Sequence, residues 1–284
     1  TVFSQGINQS SSGVDKANSI LNVHLATGRV GLPGASPFSI TGQPNAMGGR
    51  EVGGLANQLA AHMDIVPESI ERVGRFWNAP HITHRPGLKA VELFDAVREG
   101  KIKAIWIMAT NPAVSLPEAD RVVAALQQCE FVVVSDVTGH TDTAQLAHVL
   151  LPAAAWGEKD GTVTNSERRI SRQRAFLPLP GEARPDWWIV TEVARRMGHA
   201  AAFDYDGPAA IFREHAALSG FENNGRRAFD LGALAGMDAA SYDAMAPVQW
   251  PVRQSGHGTP RLFAQGHYPT VSGRARMIAR MPRG

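Results

Sequence analysis

The sequence predicts an α/β fold on a doubly wound, mostly parallel sheet, preceded by an irregular glycine-rich segment, and three observations predict it. From residue 88 onward, helical and strand-like runs alternate, the order that builds parallel sheets. Two of the strand-like runs, Lys103 to Ala109, apolar after its first residue, and Phe131 to Val134, are apolar as buried strands are. The chain is also long and apolar enough to bury a large core: 284 residues, 44% hydrophobic and 19% charged.

The elements follow in order. Asp15, Ala17, Ile20, Leu21, His24 and Leu25 stand near helical spacing, and Gly28 is placed to stop that helix. The block Thr41 to Gly54 holds five glycines, which reads as a long ordered loop that approaches a ligand closely. Leu88 to Glu99 carries a helical stripe, and Lys103 to Ala109 is the first strand. Pro117 to Gln128 is a second helix, with Pro117 at its first position. Phe131 to Val134 is the next strand, Thr143 to Ala147 a short helix, and His148 to Leu151 a third strand. Further helices are expected over Asp186 to Gly198, Pro208 to Leu218 and Asp238 to Met245. Residues 1–87, 88–262 and 263–284 thus read as a glycine-rich segment, an α/β domain and a connector.

Composition excludes several functions. The net charge of +2 is too near balance for wrapping nucleic acid or docking on an anionic membrane. Of the 28 basic residues, 23 are Arg and 5 are Lys, a bias that suits both salt-bridged helices and phosphate recognition. One cysteine, Cys129, excludes an internal disulfide and any all-cysteine metal site built by this chain alone, and fits a reducing compartment. No apolar run reaches the roughly 18 residues that span a bilayer, so a cytoplasmic protein is expected. The chain opens on Thr1 inside a dense motif, which reads as a piece of a longer protein.

In open parallel sheets ligands bind outside the carboxyl ends of the strands, where loops and helix amino-termini converge. Those ends here are Thr110-Asn111-Pro112, Ser135-Asp136 and Trp156-Gly157-Glu158-Lys159-Asp160-Gly161. Asn111 and Ser135 can donate and accept, Lys159 can hold a phosphate, and Asp136 or Asp186 can accept the N1–H and exocyclic amine of a guanine. A structural reading stands beside this: Asn111-Pro112 as a turn, Asp136 as a cap and Lys159 as a solvated loop residue. No Gly-x-Gly-x-x-Gly follows a strand and no Gly-Lys-Ser/Thr loop is present, so ordinary NAD or ATP binding has no fingerprint. His81 and His84 lack an evident third metal ligand, and His140 with Asp142 lacks a nucleophile.

Taken together, Gly6-Ile7-Asn8-Gln9-Ser10-Ser11-Ser12-Gly13, His24 to Gly31, Thr41 to Gly54, Thr110-Asn111-Pro112, Ser135-Asp136 and Trp156 to Arg169 occur in an order that resembles the molybdopterin oxidoreductases. Within that family they are most similar to bacterial nitrate reductases of the assimilatory type. The resemblance covers nearly the whole chain to about residue 200. It implies a Rossmann-like domain, a cofactor of two molybdopterin guanine dinucleotides chelating one molybdenum, and reduction of nitrate to nitrite with electrons from a donor protein or reductase subunit. It places dinucleotide contacts at Gln9, Asn111, Ser135, Asp136, Lys159 and Asp186. Gln5 departs from periplasmic relatives, which carry methionine there. The family's 4Fe-4S cysteines, its ligand to molybdenum and its final domain have no counterpart in these residues, so the resemblance implies a central fragment inactive alone, completed by other segments of its own chain. A formate dehydrogenase of the same family and a non-catalytic nucleotide-binding domain are the alternatives.

Overall fold

The computed structural model describes residues 1–40, 42–253 and 257–280. Thr41, which opens the glycine-rich block, and residues 281–284 of the expected connector lie outside them. The chain divides into two compact units: Thr1–Pro80 with Thr162–Ser171 and Phe212–Gly284, and His81–Gly161 with Arg172–Ile211.

The amino-terminal part of the first unit is more ordered than its glycine content suggests. Strand β1 (Val2–Phe3) leads into α1 (Gln5–Asn8) and α2 (Gly13–Ala26). Gly28, at φ +64°, ends α2 as its placement predicts. Strand β2 (Phe38–Ser39) lies parallel to β1 with Val2 opposite Phe38. The block expected to be a loop contains a helix instead, α3 (Ala46–Glu51). Gly53, at φ +79°, then turns the chain so tightly that a Cβ there would sit 2.7 Å from the Ala60 nitrogen. Strands β3 (Gln58–Leu59) and β4 (Met63–Asp64) form an antiparallel hairpin. Helix α4 (Pro67–Trp77) follows, with Pro67 in its first turn, Glu68 near its positive end and Asn78 in the left-handed conformation at its close.

The second unit is built on the expected parallel sheet. Helix α5 (Ala90–Arg98) is closed at its start by Glu92, which accepts the Lys89 N–H at 3.3 Å. Strand β5 (Ala104–Met108) is followed by an unexpected short helix α6 (Pro112–Ser115), and it is Pro112 that takes a first-turn position. Helix α7 spans Ala119–Gln128: Glu118, at φ +52°, breaks the backbone between Pro117 and the helix, so Pro117 is not its first residue. Strand β6 (Phe131–Asp136) pairs in parallel with β5 on one side and β7 (Val149–Pro152) on the other. A single 3-10 turn, Ala144–Leu146, stands where the short helix was expected. Val97 of α5, Leu126 of α7 and Val132 and Val134 of β6 lie in one buried cluster, and α5 packs on α7. The apolar runs of β5 and β6 are strands because burial on their helix-facing side requires it, and β6, paired on both sides, is the most buried of the three, with Val132, Val134 and Ser135 fully enclosed.

Downstream, β8 (Gly161–Thr164) and β9 (Arg169–Gln173) join β10 (Val248–Gln249) in a three-stranded sheet of order β10-β9-β8, with Val248 opposite Ile170. Helix α8 (Asp186–Ala194) runs on into a wider turn, Arg195–His199. Helix α9 (Pro208–Gly220) and α10 (Ala239–Asp243) complete the fold, the latter capped by Asp238, whose side chain accepts the Ser241 N–H at 2.7 Å. No helix among the described residues is long and apolar enough to cross a membrane.

Candidate functional site

Parallel strands finish at the same edge of a sheet, and register decides how level they finish. Met108 of β5 opposes Ser135 of β6, and Asp136 opposes Pro152 of β7, so the three carboxyl ends align. The chain beyond β7 extends that edge. Ala153 pairs in parallel with Arg184, the Arg184 N–H donates to the Pro152 carbonyl at 3.0 Å, and the Ala154 N–H donates to the Arg184 carbonyl at 2.9 Å. This pairing delivers Asp186, the first residue of α8, to the same place. Lys159 reaches it, with Nζ 2.6 Å from Asp186 Oδ2. Five of the six expected residues therefore gather at one edge of the second unit. Gln9 belongs to the first unit, where it is exposed at the end of α1 and its N–H donates to the Gln5 carbonyl at 2.9 Å.

Each residue has a local task. Asn111 Oδ1 accepts from the Thr143 hydroxyl at 2.7 Å and from the Thr143 N–H at 3.2 Å, which ties the end of β5 to the loop before β7. Thr143, fully buried, also accepts the Ala113 N–H at 3.1 Å. Thr143→Val is therefore expected to lower stability by about 1–2 kcal/mol, since it removes the hydroxyl and leaves buried partners unsatisfied; equal urea midpoints for variant and wild type would contradict this. Ser135 is fully buried and its hydroxyl accepts the Trp106 indole N–H at 2.8 Å, so its side chain braces the strand pair. Asp136 accepts the Thr138 N–H at 3.3 Å in a local turn.

The loop carrying Lys159 is braced on both sides. The N–H groups of Phe176 and Leu177 both donate to the Gly157 carbonyl at 2.9 Å, and a Cβ at Gly157 would stand 2.7 Å from the Phe176 ring. Arg172 grips Asp160 with two bonds, at 2.6 and 3.0 Å, and also donates to the Gly161 carbonyl at 2.6 Å. Asp160 is thus consumed by the scaffold, while Lys159 is aimed at the edge. Beside it lies a mostly apolar cavity of about 320 Å³, lined by Leu151, Pro152, Trp188, Ile189 and Val193, with the Arg184 guanidinium 5.7 Å from the Trp188 ring centre. Cys129 is buried between α7 and β6 and packs as a small hydrophobe.

A second constellation, in the first unit, is not evident from residue types alone. Helix α3 contributes Met47 and Arg50 to a cavity of about 280 Å³ that Phe3, Leu21, Phe38 and Ser166 also line. The Arg50 guanidinium is exposed and makes no hydrogen bond or ion pair among the described residues. Its neighbour Glu51 is the opposite, buried at 2% exposure. Glu51 Oε2 accepts the Thr164 hydroxyl at 2.8 Å and Oε1 accepts the Trp250 indole N–H at 2.6 Å. Burial pushes its carboxyl up to about 7, and the bonds from Thr164 and Trp250 only partly oppose that. The glycine-rich block announced a ligand, but which of its side chains faces a cavity depends on a helix the sequence did not show. Two histidines are held neutral nearby: burial, then the Arg50 charge, lowers His62, and burial, then His62, lowers His215 to about 4.

The chain was compared with known proteins. Residues 1–196 match the family model described as molybdopterin oxidoreductase. The chain is 59% identical over 255 residues to a nitrate reductase of Klebsiella oxytoca, which covers 90% of this chain and 29% of that protein. It is 50% identical over 283 residues to a nitrate reductase of Shewanella frigidimarina, covering 98% and 30%. It is 36% identical over 215 residues to the alpha subunit of an F420-dependent formate dehydrogenase of Methanococcus maripaludis, covering 76% and 31%. The chain therefore spans under a third of the length of these relatives. A match over more than half of the residues, spanning both the glycine-rich block and the strand ends, establishes that this chain belongs to the molybdopterin oxidoreductases.

Proposed function

We propose that the chain is the central, dinucleotide-binding portion of a molybdenum-dependent nitrate reductase, with residues 1–87 lining the molybdopterin site, 88–262 forming a Rossmann-like, doubly wound dinucleotide domain and 263–284 leading onward. The observation that carries this is the convergence of Asn111, Asp136, Lys159 and Asp186 at the carboxyl edge of one parallel sheet. The donor set there fits a guanine dinucleotide. Carboxylates at Asp136 and Asp186 accept the N–H groups of guanine, Lys159 neutralises a phosphate, and the cavity beside Trp188 offers a flat apolar wall to a base. Asn111 adds an amide and Ser135 holds the strand ends level, while Gln9, in the first unit, is proposed as a dinucleotide contact of its own. Lys159 and Asp186 satisfy each other, and binding would exchange that ion pair for contacts to the ligand.

The bound group, bis-molybdopterin guanine dinucleotide with molybdenum, supplies the two-electron oxygen-transfer chemistry that side chains lack. This chain's own part is to bind, orient and admit an anion. Arg50, unpaired beside a cavity, offers the cationic, bidentate surface that a planar oxyanion such as nitrate requires. A 4Fe-4S cluster and the metal's protein ligand are assigned to other segments of the full-length protein and electron supply to a donor protein or reductase subunit, so the 284 residues alone are expected to turn nothing over. Formate oxidation is the second reading, since a formate dehydrogenase is among the relatives at 36% identity, below the two nitrate reductases. Purified full-length protein is expected to contain molybdenum and guanine nucleotide and to reduce nitrate with reduced viologen while leaving formate untouched. Protein lacking guanine would remove the dinucleotide reading, and formate turnover without nitrate turnover would replace the substrate.

A further inference from the structure

We propose that Glu51 is a positioning residue for oxyanion capture: by holding α3 to Thr164 and Trp250 it sets where the Arg50 guanidinium stands in its cavity. This rests on the nitrate chemistry proposed above for the same site.

Helix α3 is six residues long, too short to hold its own conformation, so whatever anchors it decides its orientation. The anchors converge on one residue. The Thr164 N–H donates to Asn45 Oδ1 at 2.9 Å, just before the helix, and the Thr164 hydroxyl donates to Glu51 Oε2 at 2.8 Å, at its last residue. Thr164 thereby clasps both ends of α3. Gly48 makes the clasp possible, because a Cβ there would fall 2.1 Å from Asn45 Oδ1, the atom that accepts from Thr164. Two more bonds lock the carboxyl end: the Trp250 indole N–H donates to Glu51 Oε1 at 2.6 Å, and the Ala61 N–H donates to the Glu51 carbonyl at 2.7 Å.

Rotation about the helix axis is what these bonds remove. Successive helical side chains point about 100° apart, so once Glu51 is pinned inside, Arg50 is committed to its own direction. The Arg50 guanidinium has no ion pair or hydrogen bond among the described residues to do this. A buried carboxyl is a costly way to make two contacts, and it suits a place where two donors far apart in the chain must be gripped by one rigid group.

The test uses full-length, cofactor-loaded protein, and reads nitrate binding to the oxidised enzyme without electron donor by calorimetry, together with KM, kcat and molybdenum content. Glu51→Ala is expected to weaken nitrate binding about tenfold and to raise KM in step, with kcat and molybdenum within about twofold of wild type. Glu51→Gln, whose amide oxygen can accept from Trp250 while its N–H meets the Thr164 hydroxyl, is expected to restore most of that affinity. Trp250→Phe, which removes only the indole donor from the clasp, is expected to reproduce the Glu51→Ala effect in part and serves where Glu51→Ala loses its fold or its metal. Arg50→Ala separates the two levels of argument. Wild type that binds no nitrate overturns the nitrate reading and this proposal with it; wild type and Arg50→Ala that bind nitrate equally overturn the role of Arg50 and this proposal, and leave the nitrate reading standing. If Arg50→Ala abolishes binding but Glu51→Ala, or Trp250→Phe in its place, binds nitrate as wild type does, the positioning role alone is overturned. Glu51→Gln as weak as Glu51→Ala overturns it too, since the charge and not the grip would then matter.

Discussion

Full-length protein carrying Asp186→Ala is expected to lose most of its molybdenum and guanine content while melting close to wild type. The magnitudes separate the two effects. A carboxylate that accepts two charge-assisted hydrogen bonds from guanine contributes roughly 1.5–3 kcal/mol for each, so removing it should weaken cofactor binding by roughly two to four orders of magnitude. The Lys159–Asp186 pair that the same substitution breaks is about a third exposed on both sides, 29% and 32%, and such pairs are worth about 1 kcal/mol or less to stability. Asp136→Ala should behave in the same way, because its carboxylate's one described bond is a 3.3 Å contact from the Thr138 N–H in a local turn. Metal and guanine analysis of the purified variants, set beside their melting temperatures, checks this. Full cofactor content in both variants would remove the two aspartates from the binding site.

Glu51→Gln should make the protein less sensitive to alkaline pH. The Glu51 carboxyl is raised from 4.5 to about 7 in the folded state, chiefly by burial. Between those values the folded protein holds a proton that the unfolded chain releases, so stability falls as pH rises through this window and levels off above about 7. A shift of this size corresponds to a ceiling of roughly 3 kcal/mol. His215 works in the opposite direction, since its folded value near 4 lies below the usual 6.5, and stability is gained as pH rises from 4 to 6.5. That contribution is common to variant and wild type and cancels in their difference. The variant, which never ionises at this position, should therefore gain on wild type by up to about 3 kcal/mol between pH 5 and pH 8. Urea midpoints for both proteins at the two pH values measure it, and an unchanged difference would mean that Glu51 ionises normally.

Much of the second unit was legible in the sequence. The runs at Lys103 to Ala109 and Phe131 to Val134 became β5 and β6, an edge and the central strand of the parallel sheet, because such apolar stretches gain most by pairing in a sheet covered by helices. The strand-end positions of Asn111, Ser135 and Asp136 followed from those strands directly. Helix α4 carries a legible start, with proline and glutamate in its first turn, but its glycine-rich neighbours mask it. Helix α6, the clasp on α3 and the sheet of β8, β9 and β10 were not readable, since short elements carry too little periodicity to stand out and take their stability from partners far along the chain.

By itself the sequence determined the family, the parallel sheet and the residue types at the strand ends, because these depend on local order: runs of apolar residues, strand ends and motif succession. Tertiary structure alone decided what those residues do to one another. The parallel pairing of Ala153 with Arg184 brings Asp186 to Lys159 across 27 positions of chain, and the indole of Trp250 reaches Glu51 across 199. Contacts of that span are chosen by the register of strands and the burial of whole faces. No local pattern encodes them, and they leave Arg50 free and Glu51 held.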